Sequence, residues 1–147
     1  MKQTEKINRA AILHIPLSQY AYATSEYEIT IRLRAKKGDL SKCILYIADR
    51  VCRTTPVCFS ENSMRICAVD EYFDYYEADL KLPYNRICYY FKLEKGEEWV
   101  YYYADRFTKR GSRARSDRLH AVLLLQPKLQ SIAPWLQEIK SLVEAIP

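Results

Sequence analysis

Glycine is nearly missing from this chain, with three residues among 147. That scarcity excludes the Gly-rich turns that cradle phosphates, and neither a G-x-G-x-x-G nor a Walker-type loop occurs. Histidine is scarcer still: His14 and His120 are the only two. There is no H-E-x-x-H pattern, and neither imidazole belongs to a serine elbow or a Cys–His motif, so the usual carriers of metal hydrolysis and nucleophilic catalysis are missing. Long apolar runs are absent too. The polar opening MKQTEKINRA leads only into the short stretch AILHIPL, which is neither a membrane span nor the core of a secretory leader. The five cysteines (Cys43, Cys52, Cys58, Cys67, Cys88) are odd in number, form no C-x-x-C and lie far from either histidine. Structural metal ligands cluster closely, so this spacing argues against a metal site. Buried reduced thiols in a cytoplasmic protein are the expectation, with no metal and no cofactor.

What is present is ordinary for a soluble domain: 49% apolar and 28% charged residues, enough for one core without staples. The net charge of +5 is concentrated in one place. Arg106, Lys109, Arg110, Arg113, Arg115 and Arg118 face a single acid, Asp117, across 106–118. A basic stripe spread over a fold would mark a nucleic-acid footprint; one basic stretch containing Gly and Ser reads instead as a solvated linker over 108–118. Neither nucleic acid nor membrane is expected as a partner.

Tyrosine is abundant at thirteen residues, most of them in alternating runs. YEITIRLR (27–34) points Tyr27, Ile29, Ile31 and Leu33 one way and Glu28, Thr30, Arg32 and Arg34 the other, the period-two pattern of a strand with one wet face. A turn at 36–39 leads to CILYI (43–47), a short strand expected to be buried on both faces. Residues 48–63 read as irregular. An apolar run over 64–69 is followed by EYFDYYEADL (71–80), which Pro83 and Asn85 end. RICYYFKL (86–93) and EWVYYY (98–103) form a hairpin across Glu94-Lys95-Gly96-Glu97. About seven short strands with turns between them predict an all-β, immunoglobulin-like antiparallel sandwich over residues 1–107. LHAVLLL (119–125) fits strand or helix. Pro134 then opens a segment with Trp135, Leu136, Ile139, Leu142, Val143 and Ile146 on one face, a short C-terminal amphipathic helix over 134–146 within a tail spanning 119–147.

No catalytic constellation emerges. Asp70, Glu71, Asp74, Glu77 and Asp79 are plentiful, yet acids alternating along an antiparallel strand mark its solvated side rather than a paired-carboxylate cleft. His14, before a short apolar run with a proline, reads as a satisfied structural side chain. Binding is left. Tyrosine planes suit the flat C–H faces of sugar rings, and Tyr20 and Tyr22 in QYAYA are the candidates. Tyr89 and Phe91 read as core.

NRAAILH, QYAYATSEYEITIRLRAKKGDL, CILYIADR, DEYFDYYEADL and NRICYYFKLEKGEEWVYY occur in this order over about residues 8–107. The set resembles the N-terminal β-sandwich of neopullulanases, cyclomaltodextrinases and maltogenic amylases, carbohydrate-binding module family 34 of the α-amylase superfamily. The resemblance implies a non-catalytic accessory domain ahead of a catalytic (β/α)8 barrel. It also implies a homodimer in which one subunit's N-domain closes its partner's cleft, with cyclodextrins, pullulan and short maltodextrins as substrates. No catalytic residue carries over, because the family's catalytic acids lie in the barrel. Tyr20 matches the first tyrosine of the family's YAY motif. Asp49 and Arg50 match the loop that reaches toward the partner's cleft, and Val51 stands where that loop usually carries an aromatic. The carbohydrate-binding candidates are therefore Tyr20, Tyr22, Asp49 and Arg50, with an α-glucan oligosaccharide or a cyclodextrin as ligand.

Beyond Arg110 the chain departs from the family's entry to the barrel. A truncated or frame-shifted reading frame would produce this departure, and so would a stand-alone module whose helix caps the surface the barrel otherwise covers. The alternative function is accordingly a dimerisation or protein-interaction module that has lost sugar binding. A third reading, single-strand nucleic-acid binding, is disfavoured because the positive charge does not follow the aromatics.

Overall fold

The computed structural model describes residues 6–50, 59–111 and 118–124. After a single 3-10 turn at Arg9–Ala11, the described chain is built of strands. β1 (Ala21–Ser25), β2 (Glu28–Lys36), β5 (Arg65–Val69) and β6 (Phe73–Lys81) form one sheet in the order β1-β2-β6-β5. β3 (Lys42–Asp49), β4 (Ser60–Ser63), β7 (Arg86–Lys95), β8 (Glu98–Tyr102) and β9 (Phe107–Thr108) form the other, in the order β4-β3-β7-β8-β9. β10 (His120–Leu123) completes it on β7. All pairings are antiparallel. β10 takes the stretch of β7 that β8 leaves free: His120 to Leu123 face Tyr89 to Arg86, whereas β8 begins its pairing at Phe91.

The period-two pattern produces the sandwich. Ile29, Ile31, Leu33 and Ala35 of β2 and Tyr76 and Ala78 of β6 turn inward from the first sheet. Leu45, Ile47, Ile87, Tyr89, Phe91, Leu93, Val100 and Val122 meet them from the second. Tyr89, Phe91, Ile31, Leu33, Leu45 and Ile47 have no exposed surface, and each such side chain contributes about 1.5–3 kcal/mol by leaving water. Gly38 (φ 70°) makes the β2–β3 turn, and Asp74 clamps it by accepting the Gly38 N–H at 2.9 Å. Asp39, buried beside it, accepts from Lys95 Nζ at 2.6 Å and from the Asn8 N–H at 2.8 Å, pinning the chain's start to two loops.

Several local expectations change. The 48–63 stretch is not wholly irregular, because Ser60–Ser63 forms β4 on the edge of β3. Tyr27 is 42% exposed in the β1–β2 turn, and Thr30 is buried through its bond to Asp79. Tyr46 keeps one face of the CILYI strand partly exposed. Asp74 faces the interior, unlike the other acids of its run. The β7–β8 link is the two-residue Gly96-Glu97, with Gly96 at φ 60°. Within LHAVLLL, His120–Leu123 is strand, and it lies past residue 107 within the second sheet. The amphipathic helix expected over 134–146 lies outside the described residues. Among those residues, no helix is long and apolar enough to cross a membrane.

Candidate functional site

β2 and β6 are neighbours whose outward residues carry opposite charge, and their register sets Arg32 against Glu77 and Thr30 against Asp79. Arg32 Nε donates to Glu77 Oε2 at 2.9 Å. Arg65, from the edge strand β5, donates to Glu77 Oε1 at 3.0 Å and to Asp79 Oδ2 at 3.1 Å. Thr30 Oγ1 donates to Asp79 Oδ1 at 2.6 Å. The result is a fixed row of alternating guanidinium and carboxylate groups across the outer face of the first sheet. Glu77 raises the Arg32 pKa by hydrogen bonding, and the Thr30 hydroxyl and Arg65 hold Asp79 below the usual carboxylate range.

Over this row opens a concave pocket of about 450 Å³, lined by Gln19, Tyr20, Arg32, Cys67, Ala68, Tyr75 and Glu77. A bulge between Ile66 and Ala68 places Cys67 here, its thiol pKa raised first by burial and then by Glu77. Tyr75 donates its hydroxyl to Asp70 at 2.9 Å, which fixes the phenol at one side. Arg32 lies over the Tyr22 ring at 5.4 Å, so Tyr22 adjoins the pocket from β1. Guanidinium and carboxylate side by side offer donors and acceptors at once, and adjacent phenols supply apolar faces. This combination suits a neutral, polyhydroxylated ligand.

Tyr20 lines the pocket but is only 7% exposed, so little of its ring meets solvent. Asp49 and Arg50 are elsewhere. Asp49 ends β3 in the other sheet, opposite Ile87, and Arg50 follows it, its N–H donating to the Arg86 carbonyl at 2.9 Å. The structure thus brings Tyr20 and Tyr22 to one face and leaves Asp49 and Arg50 apart from it. Arg32, Arg65, Tyr75 and Glu77 were missed as site residues by sequence reasoning. The only signal was the opposite charge on the wet faces of two alternating runs, and it acquires meaning once the β2–β6 register is known.

Both histidines lie inside the sandwich. His14 Nδ1–H donates to the Arg32 carbonyl at 2.6 Å, which leaves Nε2 to accept from the Tyr89 hydroxyl, also at 2.6 Å. His120 packs 4.9 Å away, ring centroid to ring centroid, and its Nε2 has no hydrogen-bond partner among the described residues. Burial lowers the His14 pKa to about 4, and burial with the neighbouring His14 lowers that of His120 to about 3. Among the described residues no group of three or more His, Cys, Asp or Glu side chains is arranged to hold a metal ion.

Residues 7–125 match the family described as "Alpha amylase, N-terminal ig-like domain". Neopullulanase 2 of Thermoactinomyces vulgaris is 36% identical over 105 residues, covering 71% of this chain and 18% of the relative. A cyclomaltodextrinase of a Bacillus species is 31% identical over 93 residues, covering 60% and 15%. Among solved structures, a cyclomaltodextrinase superposes with a TM-score of 0.73 at 26% identity over 81% of this chain and 20% of its own. The maltogenic amylase from S. marinus, at a TM-score of 0.57 and 15% identity, shares the fold. The chain thus spans about a fifth of the relatives it matches. A (β/α)8 barrel typically takes about 250 residues, so these 147 hold the β domain and not the catalytic barrel. The chain belongs to the alpha-amylase N-terminal Ig-like domain family, the β domain it shares with its neopullulanase and cyclomaltodextrinase relatives.

Proposed function

We propose that this domain binds α-glucan oligosaccharides or cyclodextrins at the pocket beside Tyr20 and Tyr22. The observation that carries the reading is the Arg32–Glu77 pair, held at 2.9 Å in a cavity of about 450 Å³ that Tyr20 and Tyr75 also line. Arg32 donates to, and Glu77 accepts from, neighbouring sugar hydroxyls, while Tyr22 and Tyr75 cover the ring's apolar face. The relatives are named as enzymes of pullulan, cyclomaltodextrin and maltose-forming chemistry, which supports the glucan class. In this reading the domain serves a catalytic barrel and works within a homodimer, where Asp49 and Arg50 at the end of β3 face a partner's cleft. The free thiols Cys43 and Cys67 support a reducing cytoplasm as its location.

Calorimetric titration with maltohexaose and β-cyclodextrin tests the sugar reading. It predicts dissociation constants in the micromolar to millimolar range and a loss of roughly tenfold on Tyr22→Ala or Arg32→Ala. No heat at millimolar sugar would reject it.

A second reading, dimerisation with sugar binding lost, draws on Val51 in place of the family's aromatic and on the 7% exposure of Tyr20. Sedimentation showing a dimer in a chain that ignores both sugars would favour it. A strict monomer would count against it.

A further inference from the structure

The inner face of the second sheet packs into the shared core, with Ile47, Tyr89, Phe91 and Leu93 fully buried and Val100 at 1% exposure. Its outer face is nevertheless rich in rings. The β3–β7 register sets Tyr46 against Tyr90, and the β7–β8 register sets Lys92 against Tyr101 and Glu94 against Trp99. Tyr46 stacks on Tyr90 with centroids 5.0 Å apart and planes 10° from parallel, and Phe59 meets Tyr90 edge-on at 5.1 Å. Tyr90 is only 4% exposed and forms the floor. Tyr46, Tyr101 and Trp99 remain partly exposed above it. They form a row, 6.2 Å from Tyr46 to Tyr101 and 5.5 Å from Tyr101 to Trp99.

Charged groups interleave with this row. Lys92 Nζ lies 5.5 Å from the Trp99 ring centroid and 5.9 Å from that of Tyr101. Lys109 Nζ lies 4.7 Å from the Trp99 ring and pairs with Glu98 at 3.2 Å. Glu61 stands opposite Tyr46. The row is therefore no continuous apolar patch of the kind that buries another protein's core. A line of amphipathic rings with donors and acceptors between them fits a chain of repeating units, each with an apolar face and hydroxyl edges. Lysine stems are flexible, so Lys92 yields the ring faces while its ammonium group turns to the hydroxyls, and Lys109, held by the Trp99 carbonyl and Glu98, stays on one side of the Trp99 ring.

We propose that the outer face of the second sheet, built on Tyr46, Tyr101 and Trp99, is a second carbohydrate surface that takes the side of an extended α-glucan chain. The choice of glucan rests on the reading of the first-sheet pocket. Because the two sites lie on the outer faces of opposite sheets, a cyclodextrin ring at one cannot touch the other. A long chain, or two chains, can engage both, and linked contacts strengthen binding to polymer without changing the binding of a small ring at the pocket.

Affinity electrophoresis through soluble amylose, run beside β-cyclodextrin calorimetry, separates the two claims. Trp99→Ala and Tyr101→Ala are expected to weaken amylose binding roughly tenfold each while the β-cyclodextrin constant at the pocket is unchanged. Tyr22→Ala does the reverse, losing β-cyclodextrin and keeping the amylose retardation that depends on the row. Undiminished amylose binding by both row variants, with β-cyclodextrin still bound, overturns the second surface and leaves the pocket reading standing. No binding of either glucan by the unaltered chain overturns both. If Tyr101→Ala fails to fold by circular dichroism, the Trp99 indole N–H resonance of the unaltered chain decides: movement on adding a long maltodextrin supports the surface, and a static signal refutes it.

Discussion

Acidification should unfold this sandwich through two side chains that no ligand touches. His14 and His120 are 5% and 3% exposed, with pKa values lowered from 6.5 to about 4 and about 3. A group whose folded pKa is depressed binds its proton in the unfolded chain first, so stability is full above about pH 6.5 and falls as pH drops toward the folded values. At about pH 5.5 each histidine is one unit below its unfolded pKa and still neutral in the fold, which costs about 1–2 kcal/mol apiece, or about 3 kcal/mol together. That is a large share of the roughly 5–15 kcal/mol a domain possesses. The window is clean, because Asp70 and Asp79, held below the usual carboxylate range, lose their contribution only below about pH 4. Urea unfolding followed by circular dichroism at about pH 7.5, 6.5 and 5.5 reads the slope. The expected result is a steepening fall below about pH 6.5, halved in His120→Leu. A flat profile across that range would refute the argument that both imidazoles are neutral in the fold.

Other perturbations follow from the same contacts. Tyr89→Phe removes the donor to His14 Nε2 inside the core and should cost about 1–3 kcal/mol in chemical denaturation. Phe91→Ala empties a fully buried ring position and should cost about 3–5 kcal/mol. Leu17 holds a φ of 58° in an exposed turn after Pro16, a conformation that costs a side chain about 1–2 kcal/mol, so Leu17→Gly should raise the melting temperature. Unchanged or lower melting would contradict that strain.

Much of the fold was legible because the strands write their burial in period two. YEITIRLR and RICYYFKL name their inward residues directly, and Ile29, Ile31, Leu33, Tyr89 and Phe91 are the core. SENS was not legible, since β4 is a polar edge strand whose only cause is its pairing with β3. LHAVLLL is too short for periodicity to separate strand from helix, and the pairing of His120–Leu123 with β7 decides that part of it. The site was less legible than the fold. Tyr20 could be picked out as a ring outside the regular runs, but its near-complete burial depends on packing that no local pattern encodes. The Arg32–Glu77–Arg65 row needs three strands in register, and those residues stand 45 and 12 positions apart in the chain. The tyrosines of EWVYYY read as sandwich fabric, yet Tyr101 turns outward onto the face where Tyr46 and Trp99 also lie.

The most direct test of the central claim is a two-dimensional nuclear magnetic resonance titration of the labelled chain with β-cyclodextrin. Saturable shifts are expected on Gln19, Tyr20, Tyr22, Arg32, Tyr75 and Glu77, at the outer face of the first sheet. A spectrum unmoved at millimolar sugar, or shifts confined to residues away from that face, would contradict it.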